Sequence, residues 1–88
     1  MIMKLKDNYI THEFEDETLL IATGDAPFGD LVHGNRTFGA ILQLLRNEAT
    51  EQDIITAMCD RFDAPAEIIA RDVHRVITQL REIGALDE

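Results

Sequence analysis

The spacing of apolar residues along this chain switches once, from a period of two to a period near 3.6, and that switch limits the fold to a sheet followed by helices. From Tyr9 to Phe14, the residues Ile10, His12 and Phe14 alternate with Thr11 and Glu13, the pattern of a half-buried strand. Asp16-Glu17 breaks it, and Thr18 to Thr23 reads as a second strand rich in β-branched and apolar residues. Glycine and proline punctuate the segment from Gly24 to Gly29 as a turn, after which Leu31-Val32-His33 suits a short third strand closed by Gly34. Beyond Gly34 the period lengthens. Phe38, Ile41, Leu42 and Leu45 fall on one helical face, with Thr37 or Asn35 as the cap and Asn47 as a left-handed terminus. Thr50 and Asp53 form a capping-box pattern ahead of a second helix, whose buried face is Ile54, Ile55, Met58 and Phe62.

The last helix, Pro65 to Ile83, is the longest. At about 100° per residue, Ile68, Ile69, Val73, Val76, Ile77, Leu80 and Ile83 fill one half of its wheel. Arg71, His74, Arg75, Thr78, Arg81 and Glu82 fill the other, and Gly84 ends it. Asp72 alone breaks the apolar arc and is expected to anchor the helix through a hydrogen bond. The order β-β-β-α-α-α predicts a single α+β domain over residues 1–88, winged-helix-like, with a three-stranded antiparallel sheet followed by three helices.

Charge and composition exclude several functions. The net charge is −9, and residues 7–30 hold seven acids with no lysine or arginine. Nucleic-acid binding needs a basic face to displace counterions from phosphates, so no nucleic-acid partner is expected. No apolar run approaches the roughly 20 residues that span a bilayer, and no membrane partner is expected. Two lysines near the N-terminus have no apolar stretch behind them, which argues against a signal peptide. A single cysteine, Cys59, fits a reducing cytoplasm. His12, His33, His74 and Cys59 lack metal-ligand spacing, serine is absent, and the glycines match no phosphate-binding fingerprint. The chain therefore reads as a non-enzyme with no metal or other cofactor.

A sheet this small has open edges, which must be blunted, covered or used. An extended peptide can use one by adding itself as a further strand. The residues that carry a family likeness lie around this point. They are the run Leu31-Val32-His33-Gly34-Asn35-Arg36-Thr37-Phe38-Gly39-Ala40-Ile41-Leu42, then Leu44-Leu45, Thr50, Arg61-Phe62-Asp63 and Asp72-Val73, and the closing Leu80-Arg81-Glu82-Ile83-Gly84-Ala85-Leu86. In this order and spacing, from about residue 9 to Glu88, the chain resembles the PqqD family, the RiPP recognition elements. Asn47-Glu48-Ala49 stands where the family usually has a glycine, and an acidic loop surrounds Pro27. Asparagine tolerates the left-handed conformation, so the turn can form without that glycine; the loop suggests a branch away from the pyrroloquinoline quinone pathway, whose substrate is not carried over.

The resemblance implies a module that binds the leader of a ribosomally made precursor peptide along the third strand, beside the third helix. It hands that peptide to a modifying enzyme, often a radical S-adenosylmethionine enzyme. Carried onto this sequence, the groove would run along Gly29 to Gly34 and one flank of Pro65 to Ile83, with Asp30, Leu31, Val32 and His33 on the strand side. Arg71, Arg75 and Thr78 would lie on the helix side, the arginines pairing with leader acids. Replacing Val32 with proline is expected to remove an edge N–H. Two other readings stay open: a winged-helix DNA-binding regulator, and a protein-interaction module in which the sheet edge pairs with a second copy. The chain is thus expected as a monomer or weak homodimer.

Overall fold

The computed structural model describes residues 2–15, 17–23 and 31–88, with the backbone alone described for Phe14, Ala22 and Leu31. In chain order the elements are β1 (Lys4–Leu5), β2 (Tyr9–Phe14), β3 (Glu17–Ala22), β4 (Leu31–Gly34), α1 (Arg36–Leu44), α2 (Glu51–Arg61), α3 (Ala66–Glu82) and β5 (Leu86–Asp87). The predicted turn from Gly24 to Gly29 lies outside the described residues, as does Asp30.

Local chemistry sets the boundaries. Asn35 starts α1 by accepting the Phe38 N–H at 3.1 Å. Thr50 and Asp53 make the full capping box of α2, each side chain accepting the other's backbone N–H at 3.0 Å. Pro65 stands one residue before α3, not inside its first turn: ψ of 136° leaves it extended, and its carbonyl accepts Ile68 and Ile69 N–H groups. Gly84 ends α3 at φ 76°, with Ala85 N–H donating to Leu80 and Gly84 N–H to Arg81, a Schellman closure that requires a residue tolerant of the left-handed region. Asn47 does not adopt that conformation, since Glu15 is the only non-glycine at positive φ among the described residues. The turn after α1 is held from outside instead: Ala49 and Met3 exchange backbone hydrogen bonds at 2.8 and 2.9 Å.

β2, β3 and β4 form an antiparallel sheet in that order. Its helix-side face carries Leu20, fully buried, with Thr18 and Tyr9 nearly so. They pack toward a core of Ile41, Leu42, Leu45, Ile54, Met58, Val73, Ile77 and Leu80 drawn from all three helices. Ile55, Phe62 and Ile83 are half-buried at its border, whereas Ile68 is 39% exposed and falls outside the apolar arc assigned to it. The β1–β5 pair was not foreseen. Lys4 pairs with Asp87 and Leu5 with Leu86, closing the ends of the chain over the bottom of the core.

Candidate functional site

β4 is hydrogen-bonded to β3 on one side, and its register fixes which of its groups face outward. Thr23 N–H donates to the Asn8 carbonyl at 2.8 Å, so the hydrogen-bonded pairs between β2 and β3 are those in step with Asn8 and Thr23: Ile10–Ile21, His12–Leu19 and Phe14–Glu17. The alternate residues of β3, Thr18 and Leu20, therefore turn their backbone groups toward β4, where they meet Gly34 and Val32. Leu31 and His33 are left with N–H and C=O directed away from β3, at an edge that no described strand covers. The Val32 N–H belongs to the ladder with β3, which corrects the expectation that proline at Val32 would test the edge.

A groove of roughly 200 Å³ runs beside this edge, between His33, Gly34, Asn35, Thr37 and Phe38 on one wall and Asp72, Arg75, Val76 and Gln79 of α3 on the other. Residues 72, 75, 76 and 79 form one stripe at helical spacing, and exposed Ile68 continues it one turn earlier. Asp72 is not a buried anchor: its carboxylate lies 3.4 Å from Arg75 on the same helix, with 35% of the side chain exposed. The local positive charge of Arg75 is thus matched on the spot. The floor depends on Gly34, where a Cβ would run into the Phe38 ring.

Of the residues singled out from sequence, Val32 packs half-buried on the core and His33 is exposed, its Nδ1 2.7 Å from Glu17 Oε1. Arg75 lines the groove. Arg71, exposed one turn earlier, is not in the lining. Thr78 also falls outside it and donates its hydroxyl to the His74 carbonyl at 2.8 Å. Arg81 is engaged at the far end of the molecule by both carboxylate oxygens of Glu88 at 2.9 Å, which raises the guanidinium pKa and lowers that of the carboxylate. Gly34, the end of the expected strand wall, lines the groove, and Asn35, Thr37, Phe38, Val76 and Gln79 line it without having been singled out from sequence. The spacing of 72, 76 and 79 was the available signal, hidden because Val76 also serves the core.

This groove is smaller than the usual ~300–1,000 Å³ of small-molecule sites and opens along a strand edge, a shape suited to an extended chain. Among the described residues, no group of three His, Cys, Asp or Glu side chains is placed to hold a metal ion. Nor, among those residues, is any helix long and apolar enough to cross a membrane.

Two solved structures share the fold. TbiB1 in complex with the TbiA(beta) leader peptide superposes with a TM-score of 0.78 at 19% identity, over 96% of this chain and 94% of that one. Lasso peptide synthetase B1 complexed with the leader peptide gives 0.74 at 19% identity, over 98% of both chains. No curated protein sequence gave a significant match. The family described as Coenzyme PQQ synthesis protein D matches residues 15–86, a stretch that holds the sheet, the groove and all three helices, and the chain belongs to that PqqD family.

Proposed function

We propose that this protein binds the leader segment of a ribosomally synthesised precursor peptide by strand addition and presents it to a modifying enzyme without catalysing the modification. One observation carries the reading: the outward backbone groups of Leu31 and His33 stand beside a groove walled by the Asp72–Gln79 stripe of α3. An added strand would pair with those backbone groups, and its alternate side chains would enter the groove. Membership of the PqqD family supports the same use, as do the leader peptides bound to both structural neighbours. Val32 and Val76 offer the apolar seat, Arg75 an acid-pairing group, and Arg71 a second cation one turn earlier. A radical S-adenosylmethionine enzyme as the recipient rests on the family resemblance alone. Reconstituting modification with and without this protein is its check.

The direct test is an amide titration by NMR with the leader of a short peptide encoded beside the gene, against a scrambled leader. Shifts are expected at Leu31, His33, Asp72, Arg75 and Gln79, with the authentic leader only. His33→Pro removes an outward N–H while leaving the β3 ladder its donors, and is expected to weaken binding about tenfold, in line with one lost backbone bond plus local strain. A folded His33→Pro variant with unchanged affinity sinks strand addition at β4.

A further inference from the structure

The second open edge of the sheet points to a different partner. Among the described residues β2 pairs with β3 alone, and the alternation that turns the backbone groups of Ile10 and His12 toward β3 turns those of Tyr9, Thr11 and Glu13 to the other side. Tyr9 has already given its N–H to the Lys6 carbonyl at 3.1 Å. Thr11 and Glu13 therefore hold the outward pairs of groups. The charge along this edge is polarised. A groove of roughly 280 Å³ beside the start of β2 is lined by Lys4, Lys6 and Arg46 against one acid, Asp7, with Ile10 half-exposed in it. The other end of β2 carries Glu13, Glu15 and Glu17 around the hairpin, three acids against Arg36 and Arg61 in the same lining, with Glu13 accepting from Gln43 Nε2 at 2.6 Å. Arg46 reaches over the strand and donates to Thr11 Oγ1 at 2.8 Å.

We propose that this edge is the contact for a second copy of the chain, joined β2 to β2 in antiparallel fashion about a twofold axis at His12. A strand with cations at one end and acids at the other is complementary to itself only when reversed, which is the arrangement an isologous dimer imposes. In this register Thr11 of one protomer forms the hydrogen-bonded pair with Glu13 of its partner, and the reverse pair repeats it. Arg46, lying over Thr11, then meets the partner's Glu13, and the Lys4–Lys6 segment approaches the partner's hairpin acids. The net charge of −9 on each copy opposes association at long range. At physiological ionic strength the screening length of about 8 Å removes most of that repulsion while contact pairs persist. Such a short edge makes a weak dimer, and it leaves both β4 edges at the outer ends of a six-stranded sheet. The inference does not rest on the peptide-binding reading.

Charge reversal decides it. In sedimentation equilibrium at physiological salt, from low micromolar to millimolar protein, the wild type is expected to dimerise reversibly. Arg46→Glu and Glu13→Arg, each confirmed as folded by circular dichroism, should each weaken the dimer by about tenfold or more. The double variant should regain wild-type association to within about threefold, because its reversed charges face each other again across the axis. A wild type that stays monomeric throughout overturns the proposal. So does a dimer indifferent to either single reversal, or a double variant no better than its parents. A leader titration of the dimer reads the two sites apart, since each protomer should still take one peptide.

Discussion

At the scale of single residues, the groove depends on an absent atom and a cheap ion pair. Gly34 sits where a Cβ would penetrate the Phe38 ring, and Phe38 is itself 4% exposed and cannot swing aside. Gly34→Ala is expected to cost about 2 kcal/mol, measured by the urea midpoint. Gly34→Ala combined with Phe38→Leu should recover part of that loss, because the smaller side chain relieves the clash. Arg75 is the opposite case. Its partner Asp72 lies 3.4 Å away on an exposed turn, with 72% of the arginine side chain in solvent, and such pairs contribute little. Arg75→Ala should therefore change stability by less than about 0.5 kcal/mol. If the leader presents an acid there, its affinity should fall about tenfold at unchanged fold, a separation that isothermal titration and thermal melts read independently.

At the scale of elements, the start of α2 is a pH-sensitive joint. Asp53 accepts the Thr50 backbone N–H and lies near its hydroxyl, and these bonds hold its carboxyl below the ordinary value of 3.8. A folded-state pKa below the unfolded one means stability that is complete above the unfolded value and lost as pH falls through the folded one. Asp53→Asn should thus lower the melting temperature at neutral pH. The gap to wild type should close as pH falls below the ordinary carboxylate value and on through the lower folded-state one, since the carboxylate is then lost in both states. This joint was legible in the sequence because a capping box is a local pattern, as were the apolar stripes of α1 and α3. Three features were not. β1 and β5 are two residues each, too short for any periodicity, and exist only because residues 81 and 83 apart in sequence meet. Ile68 sits on the apolar arc by spacing, but its neighbour Ile69 takes the core position in that turn at 6% exposure and leaves Ile68 outside. The groove was assigned to β4 and α3 from family likeness alone. Its flank was settled by the crossing of α3 over β4, which no window of sequence contains, so Arg71 and Thr78 fell outside it and Gln79 inside.

At the scale of the molecule, the ends of the chain act as a clasp on the core from which the groove's two walls project. Met3 and Leu5 are 2% and 6% exposed, and Leu5 N–H donates to the Leu45 carbonyl while Lys6 N–H donates to Ala85. Tyr9 adds a hydroxyl bond to the Ile83 carbonyl at 3.2 Å. This clasp touches α1, the α1–α2 turn and the end of α3, so it fixes the first and third helices relative to the sheet. Removing residues 1–6 would uncover Leu45 and Leu86 and discard two buried side chains worth roughly 2 kcal/mol each. With the lost backbone bonds, the expected cost is about 4–6 kcal/mol, a large share of what a domain of this size possesses. Removing only residues 1 and 2 should be nearly neutral, since Ile2 is 56% exposed. Chemical denaturation of the two truncations tests this directly. The longer deletion should also abolish leader binding at 25 °C, although none of its residues lines the β4 groove. An authentic leader added in excess should restore part of the lost stability by mass action, because it binds the folded chain alone. A longer deletion that melts like the wild type would mean that the helices hold their positions without the clasp, and that the groove's geometry is set by the core by itself.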